Sequence, residues 1–282
     1  MSEGDPILSL VKRYLVLDLE TVPDEALVRA VDGEPGRPYA EQVRRIVADR
    51  RARGGRSDFL PLPFHRPVAA CTLEAVEEEG ALEVRDLSCW TDGRRGGERA
   101  FLQELWSRLE GAVALTFHGR GFDLPVLELR SLKLGVPAPA WFREGRSAGA
   151  PGHVDLLERL NCDGAATSAP LDLYAKLVGL PGKDGVEGAD VQGLYAAGAL
   201  ARIGAYCMTD VLQTWLLFLR HRLVEGTLAP EDYERSAAQA REAVPRLAAA
   251  RLGPEERGLV LQFLARCAPF FGDEPERAAR VG

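Results

Sequence analysis

Hydrophobic residues recur along this chain with two different periods, and these periods predict its helices and strands. Short runs rich in valine, leucine and alanine, or alternating with polar residues, predict strands. Apolar residues spaced at i, i+3 and i+4 predict amphipathic helices. The predicted strands are 14–20, 68–76, 81–90 and 112–117, and the predicted helices are 39–53, 98–109, 124–134, 155–160, 171–178 and 200–224. This order predicts an α/β fold with a mixed β-sheet flanked by α-helices.

Residues 24–64 interrupt the pattern between the first strand and the following hairpin. We expect the first strand to end at residues 21–23, because Pro23 cannot donate to a strand ladder. The interruption contains a polar helix, a glycine pair and a proline-rich loop. It is predicted to be an insertion that acts as a flap or clamp.

Residues 229–282 form a second departure, rich in alanine and arginine. They predict a C-terminal helical extension with breaks near Pro245 and at Gly253 and Pro254. The predicted organisation is therefore one domain at residues 1–228, including the insertion, and an extension at 229–282.

The composition is that of a soluble globular protein. The 282 residues are 46% hydrophobic, enough for a sizeable core. The N-terminal residues show no secretory signal and no segment has the roughly 20 apolar residues of a membrane span, so a cytoplasmic protein without a membrane partner is expected. The five cysteines show no metal-binding spacing and are expected to be reduced and mostly buried.

The net charge of −7 argues against a broad nucleic-acid-coating surface, but not against an enzyme that grips a short strand. Arginines nevertheless cluster in two places. They are Arg37, Arg44, Arg45, Arg50, Arg51, Arg53 and Arg56, and then Arg94, Arg95 and Arg99. Two interpretations stay open for them, a solvated surface and a contact with phosphates.

Two carboxylates lie two positions apart in the first strand, at Asp18 and Glu20. Side chains at i and i+2 point to the same face of a strand. Two negative charges held this closely raise one pKa or require a cation. A divalent metal ion with oxygen ligands is the natural partner.

Further carboxylates follow at places that could complete such a site. Asp123 lies where the strand at 112–117 gives way to a helix, and it reads either as a helix N-cap or as a ligand at a strand end. Tyr206 and Asp210 are at i and i+4 and share one face of the helix predicted at 200–224. An aspartate on a packed helix requires a partner, since an unpaired buried charge is costly.

Taken together, these motifs resemble the DEDD superfamily of 3′–5′ exonucleases, which have a ribonuclease H-like fold. Asp18-Leu-Glu20 resembles the first motif, Gly119-Arg-Gly-Phe-Asp123 the second and Tyr206-x-x-x-Asp210 the third. The tyrosine marks the DEDDy subgroup, and the details are similar to stand-alone relatives of the proofreading exonuclease of family B DNA polymerases. The resemblance covers about residues 14–228. His118 departs from the asparagine usual in the second motif.

The resemblance implies a metal-dependent 3′–5′ exonuclease that hydrolyses single-stranded DNA or unpaired 3′ ends. Asp18, Glu20, Asp123 and Asp210 would hold two Mg²⁺ or Mn²⁺ ions, with Tyr206 orienting the attacking water. The expected substrate-binding residues are Thr21, His118, Phe122 and Lys183. Thr21 also reads as a strand end and Phe122 as core.

Two other functions stay open at the level of sequence. The first is a 3′–5′ exoribonuclease, since only contacts to the 2′-OH distinguish RNA from DNA. The second is a non-catalytic nucleic-acid-binding scaffold with the same fold. Whether a polymerase or a repair protein is a partner is equally open.

Overall fold

A computed structural model describes residues 11–55, 59–93, 96–183 and 188–272. Its centre is one five-stranded sheet. The strands are β1 (Lys12–Pro23), β2 (His65–Glu78), β3 (Ala81–Thr91), β4 (Ala112–Thr116) and β5 (His153–Asp155). They lie in the order β3-β2-β1-β4-β5, with β1, β2 and β3 antiparallel and β4 and β5 parallel to β1.

Helices cover both faces of this sheet. They are α1 (Glu25–Asp32), α2 (Tyr39–Ala52), α3 (Gly97–Leu109), α4 (Asp123–Leu134), α5 (Pro139–Glu144), α6 (Leu156–Leu160), α7 (Leu171–Leu177), α8 (Val191–Ala196), α9 (Leu200–Glu225), α10 (Pro230–Arg251) and α11 (Pro254–Arg266). The prediction of a mixed sheet flanked by helices is confirmed, and the arrangement is a ribonuclease H-like α/β fold. No described helix is both long and apolar enough to cross a bilayer.

The alternation along β1 divides the core into two layers. Tyr14 and Val16 pack on the face that α9 covers. Leu15, Leu17 and Leu19 pack on the opposite face with α3 and α4. Asp18 and Glu20 continue the first set, so the pleat directs both carboxylates toward α9.

The first strand is longer than predicted. It continues through Pro23, which pairs with His65 of β2, and a bulge lies between Glu20 and Thr21. The strand does end within residues 21–23, but it includes them and begins at Lys12, so the predicted span of 14–20 is too short. Proline is tolerated there because β4 pairs only with Arg13–Val16, so the end of β1 needs donors on one side alone.

The segment 24–64 is a packed substructure. Helix α1, which the sequence patterns did not indicate, and helix α2 enclose a small core of Val28, Ile46, Leu60 and Phe64. Asp24 caps α1 and also pairs with Arg130 and Lys133 of α4. These contacts fix the segment to the body of the fold.

The C-terminal helices pack on the same core as the rest of the chain. Residues of α10 contact β3, and α11 lies against α9. The predicted break at Gly253 and Pro254 separates the two helices, but the break predicted near Pro245 does not occur. Buried Val244 and Leu247 hold the helix across this proline, so packing outweighs the lost backbone hydrogen bond.

Candidate active site

Strand β1 and helix α9 bring three carboxylates to one point. Ligand oxygens of Asp18, Glu20 and Asp210 all lie within 4.8 Å of one another, the one such group found among the described residues. Glu20 and Asp210 are buried, and Asp18 is partly exposed as a whole residue although its carboxylate oxygen Oδ2 is buried. The thiol of Cys207 donates to the backbone carbonyl of Asp18 at 3.2 Å, which joins the two elements beside the acids.

Helix α9 carries Tyr206 and Asp210 on one buried face, one turn apart. The carboxylate of Asp210 accepts a hydrogen bond from Gln213 Nε2 at 3.1 Å. Gln213 is fully buried, so it fixes the orientation of Asp210. The sequence analysis did not single out Gln213, although its i+3 spacing from Asp210 is the signal that could have found it.

Asp123 lies beside this group without belonging to it. It is the first residue of α4, and its Oδ1 accepts a hydrogen bond from the Leu19 N–H at 3.0 Å. The helix cap is Phe122, and no side chain caps this end, so the N-cap alternative for Asp123 is wrong. The bond to Leu19 joins α4 to β1 between the two acids of the first motif.

The electrostatics of the four carboxylates are those of an anionic cluster with too little positive charge beside it. Burial raises the pKa of Asp18 well above its ordinary range, and the charges of Asp123 and Asp210 add to the effect. Burial and Asp210 raise the pKa of Glu20 in the same way. Burial likewise raises the pKa of Asp123, to about 7, and that of Asp210. Burial is the largest cause of each shift, and the positive charge of Lys183 offsets it only in part at Glu20 and Asp210.

The donor set fits a hard divalent cation. Asp18 Oδ2 is buried and has no hydrogen-bond partner in the described part of the chain. A carboxylate oxygen of the same residue lies within 4.8 Å of oxygens of Glu20 and Asp210. An all-oxygen group of carboxylates suits Mg²⁺ or Mn²⁺.

Lys183 supplies positive charge at one side of the cluster. Its ammonium donates to the Tyr206 hydroxyl and lies 3.4 Å from Asp210 Oδ2. Burial disfavours the ammonium, but Asp210 and the first-motif acids outweigh this and raise the pKa of Lys183. The Lys183 N–H donates to Asp172 Oδ1 at 2.6 Å, which fixes the loop that carries it.

Tyr206 remains a neutral phenol in this environment. Burial and the charge of Asp210 raise its pKa far above the ordinary value. The hydroxyl can therefore orient a neighbouring water by hydrogen bonding, but it cannot act as a base.

The loop of the second motif depends on Asp155. Its carboxylate accepts hydrogen bonds from the N–H groups of His118 at 2.8 Å and Arg120 at 2.9 Å, and it also caps α6 through Leu157. His118 itself is exposed and has a left-handed backbone with φ +64°. Asn and His are enriched in that conformation, which explains why histidine can replace the usual asparagine.

Thr21 and Phe122 lie together at the end of β1. The Thr21 hydroxyl is 2.9 Å from His65 Nδ1, and the rings of His65 and Phe122 meet edge to face at 5.0 Å. Phe59 stacks on His65 at 4.6 Å. Neither His65 nor Phe59 was predicted as part of the site, because isolated aromatic residues in a proline-rich loop give no periodic signal.

The clustered arginines differ in their surroundings: some are paired within the protein and others are exposed. Arg37 pairs with Asp32, and Arg50 donates to the Phe59 carbonyl. Arg44 and Arg53 are exposed on α2 and just after it. Arg56, Arg94 and Arg95 lie outside the described residues.

Comparison with known proteins gives the class of this fold and site. The chain belongs to the family described as "predicted 3′-5′ exonuclease related to the exonuclease domain of PolB", whose model matches residues 57–264, well over half of the chain. Asp123, Tyr206 and Asp210 lie inside the matched region, whereas Asp18 and Glu20 precede it. The match includes α10 and most of α11.

A similar solved structure is that of the family B DNA polymerase from the hyperthermophilic archaeon Pyrobaculum calidifontis. It shares 16% sequence identity with a TM-score of 0.46, over 96% of this chain and 30% of the polymerase. The chain thus spans less than a third of that protein. No curated protein matched the chain. The relationship to polymerase-type exonucleases, which the motifs indicated, is confirmed.

Proposed function

We propose that this protein is a metal-dependent 3′–5′ exonuclease that hydrolyses phosphodiester bonds from the 3′ end of single-stranded DNA. The observation that carries the proposal is the convergence of Asp18, Glu20 and Asp210 within 4.8 Å, with one buried oxygen of Asp18 unpartnered. The family assignment supports the direction of cleavage. Single-stranded DNA is the substrate class favoured, and RNA is an outcome of the test.

In this proposal the carboxylates would hold two divalent ions. Asp18, Glu20 and Asp210 would be the direct ligands, and Asp123, tied to β1 through Leu19, would support the second ion. Bound Mg²⁺ or Mn²⁺ would lower the pKa of the attacking water and offset the charge that develops on the phosphate.

The other residues position the reacting groups. Tyr206, which stays protonated, orients the attacking water through its hydroxyl. The ammonium of Lys183, now 3.4 Å from Asp210 Oδ2, would be free to pair with a phosphate oxygen if the Asp210 carboxylate held a metal ion. Thr21, His118 and Phe122 would contact the terminal nucleotide, with Thr21 and Phe122 already adjacent through His65.

One assay tests this function. 5′-labelled single-stranded DNA, duplex DNA and RNA are incubated with Mg²⁺, Mn²⁺ or chelator. We expect single-stranded DNA to shorten stepwise from the 3′ end only with metal, and Asp18→Ala and Asp210→Ala to reduce the rate at least about 10³-fold.

The same assay distinguishes the alternatives. Faster shortening of RNA would replace the DNA substrate by RNA, and binding without shortening under every metal would leave only a scaffold. Asp49→Asn, an exposed position on α2, is the matched control and should retain full activity.

A further inference from the structure

Three buried thiols lie between the sheet and helix α9, beside the acid cluster. Cys71 of β2 pairs with Cys89 of β3 on one side and with Asp18 of β1 on the other. Residues directly opposite each other on antiparallel strands share a face of the sheet, so both cysteines face α9 as Asp18 does. Cys207 of α9 belongs to the same core layer. We call Cys71, Cys89 and Cys207 the thiol seam, which forms the contact between α9 and the sheet at this point.

Helix α9 lies close to the sheet at the seam because residue 204 is a glycine. The Gly204 carbonyl accepts a hydrogen bond from the Cys71 thiol at 3.3 Å. A Cβ on Gly204 would lie 2.8 Å from Cys89 Sγ, well inside the roughly 3.5–4.0 Å at which carbon atoms pack. Because protein interiors are close-packed, such contacts fix the distance between two elements. The seam thus fixes the height of α9 above β2 and β3.

Cys207 makes the corresponding contact with β1. Its thiol donates to the Asp18 carbonyl at 3.2 Å. Cys207 lies three residues before Asp210 on the same helix, so about one helical turn separates this bond from the Asp210 carboxylate. The bond therefore connects the backbone of one acid to the turn of helix that carries another. The side chain of Cys207 is fully buried, which suits a structural thiol and not a reactive one.

The affinity of the acid cluster for an ion depends on the spacing of β1 and α9. Asp18 and Glu20 come from the strand and Asp210 from the helix, yet their oxygens lie within 4.8 Å of one another. Like charges held so closely repel, which favours separation of the two elements when no cation is bound. Residues that orient metal ligands without touching the ion typically change metal affinity about 10–100-fold.

We propose that Cys207 is a positioning residue that sets the affinity of the acid cluster for divalent ions. Its thiol holds α9 at the distance from β1 at which Asp210 completes the group begun by Asp18 and Glu20. The inference rests on the metal site of the proposed function. It concerns the binding of ions and not the cleavage of nucleic acid.

The test measures the Kd for Mn²⁺ by titration calorimetry on the full-length protein without nucleic acid. Cys207→Ala removes the donor and leaves space, whereas Cys207→Val fills the space and has no donor. Both should weaken Mn²⁺ binding about 10-fold. Cys207→Ser keeps a hydrogen-bond donor and should stay within about 3-fold of wild type.

Cys267→Ala is the matched control. Cys267 is also fully buried, but its thiol contacts the Phe263 carbonyl of α11 and no acid of the cluster. Thermal melting should show a similar loss in Cys267→Ala and Cys207→Ala, roughly 2–4 °C each. The Kd for Mn²⁺ of Cys267→Ala should nevertheless stay within about 2-fold of wild type. The control separates weaker ion binding from a general loss of stability.

Two results would overturn the role of Cys207. One is a Kd within about 2-fold of wild type in either Cys207→Ala or Cys207→Val, measured on a variant that melts cooperatively. The other is equal weakening in Cys207→Ser and Cys207→Ala, because the effect would then not depend on the hydrogen bond. Since alanine and valine change the packing in opposite directions, one folded variant of the two is sufficient for the test.

The outcome is separate from that of the nuclease assay. A wild-type protein that binds Mn²⁺ but shortens no nucleic acid would remove the exonuclease and leave the role of Cys207 intact. A wild-type protein that binds no Mn²⁺ would remove both.

Discussion

At the scale of single residues, Tyr206 has the most sharply defined environment in the site. Its hydroxyl accepts from the Lys183 ammonium, and its pKa is raised far above neutral pH. It lies one helical turn from Asp210. In the proposed mechanism this neutral phenol positions water, and the acids beside it bind the ions.

Tyr206→Phe should lower turnover about 10–100-fold, because the oriented hydroxyl is lost while the ring still packs. The Kd for Mn²⁺, measured by calorimetry, should stay within about 2-fold of wild type. Tyr233→Phe on α10, whose hydroxyl contacts Arg220, is the matched control and should keep full turnover. Unchanged turnover in Tyr206→Phe would remove its role in water positioning.

Sequence alone was a good guide to individual chemical groups where a motif fixes their spacing. Asp18 and Glu20 share a face because a strand alternates, and Tyr206 and Asp210 because a helix turns every 3.6 residues. Phe59 and His65 reach the site only because both pack against Phe122, which lies far along the chain. Such contacts leave no local pattern in a single sequence.

At the scale of elements, the attachment of α1 to α4 shows how the 24–64 segment is held. Asp24 is buried between Arg130 and Lys133, and Arg130 also pairs with Glu98 of α3. Burial alone would raise the pKa of Asp24, but hydrogen bonds from Lys133 and Arg130 lower it to about 2. Its ionised form therefore contributes stability above pH 4, which is lost as pH falls toward 2.

Asp24→Asn should destabilise the protein by about 3 kcal/mol at pH 7, because Arg130 loses part of its compensation in a buried site. Urea unfolding measures the change. Asp49→Asn, exposed on α2, should change stability by less than about 0.5 kcal/mol. If the two variants unfold alike, the buried ion pairs do not anchor the segment.

Periodicity predicted the long elements well, and short or irregular ones poorly. Strands β2 and β3 and helices α3, α4 and α9 lie where the apolar patterns placed them. Strand β5 has three residues, too few for any period to appear. The helix through Pro245 and the extension of β1 to Pro23 depend on packing and on an unpaired strand side, which local rules do not contain.

At the scale of the whole molecule, the acid cluster links ion binding to stability. Asp18, Glu20, Asp123 and Asp210 all have raised pKa values, so the folded state without metal holds protons that the unfolded chain has released. For Asp123 this window runs from its unfolded value near 4 to about 7, and stability falls as pH rises through it. Bound divalent ions reverse the effect by favouring the ionised carboxylates.

Asp18→Asn should therefore raise the Tm at pH 8 in the presence of chelator by roughly 2–4 °C. This is the shift that a gain of about 1 kcal/mol in the free energy of unfolding produces in a domain of this size. Added Mn²⁺ should raise the Tm of wild type and have a smaller effect on the variant. Scanning calorimetry with and without metal measures both. A Tm for Asp18→Asn below that of wild type in chelator would show that repulsion among the carboxylates does not destabilise the folded protein.

The contact between Cys207 and the backbone of Asp18 joins residues 189 positions apart. Because the first ligands come from the opening strand and the last from α9, no contiguous fragment shorter than most of the chain contains the complete group. Contacts between segments so far apart require costly loop closure, which slows folding. If the proposed exonuclease activity is present, its recovery after dilution from denaturant is expected to require the docking of α9.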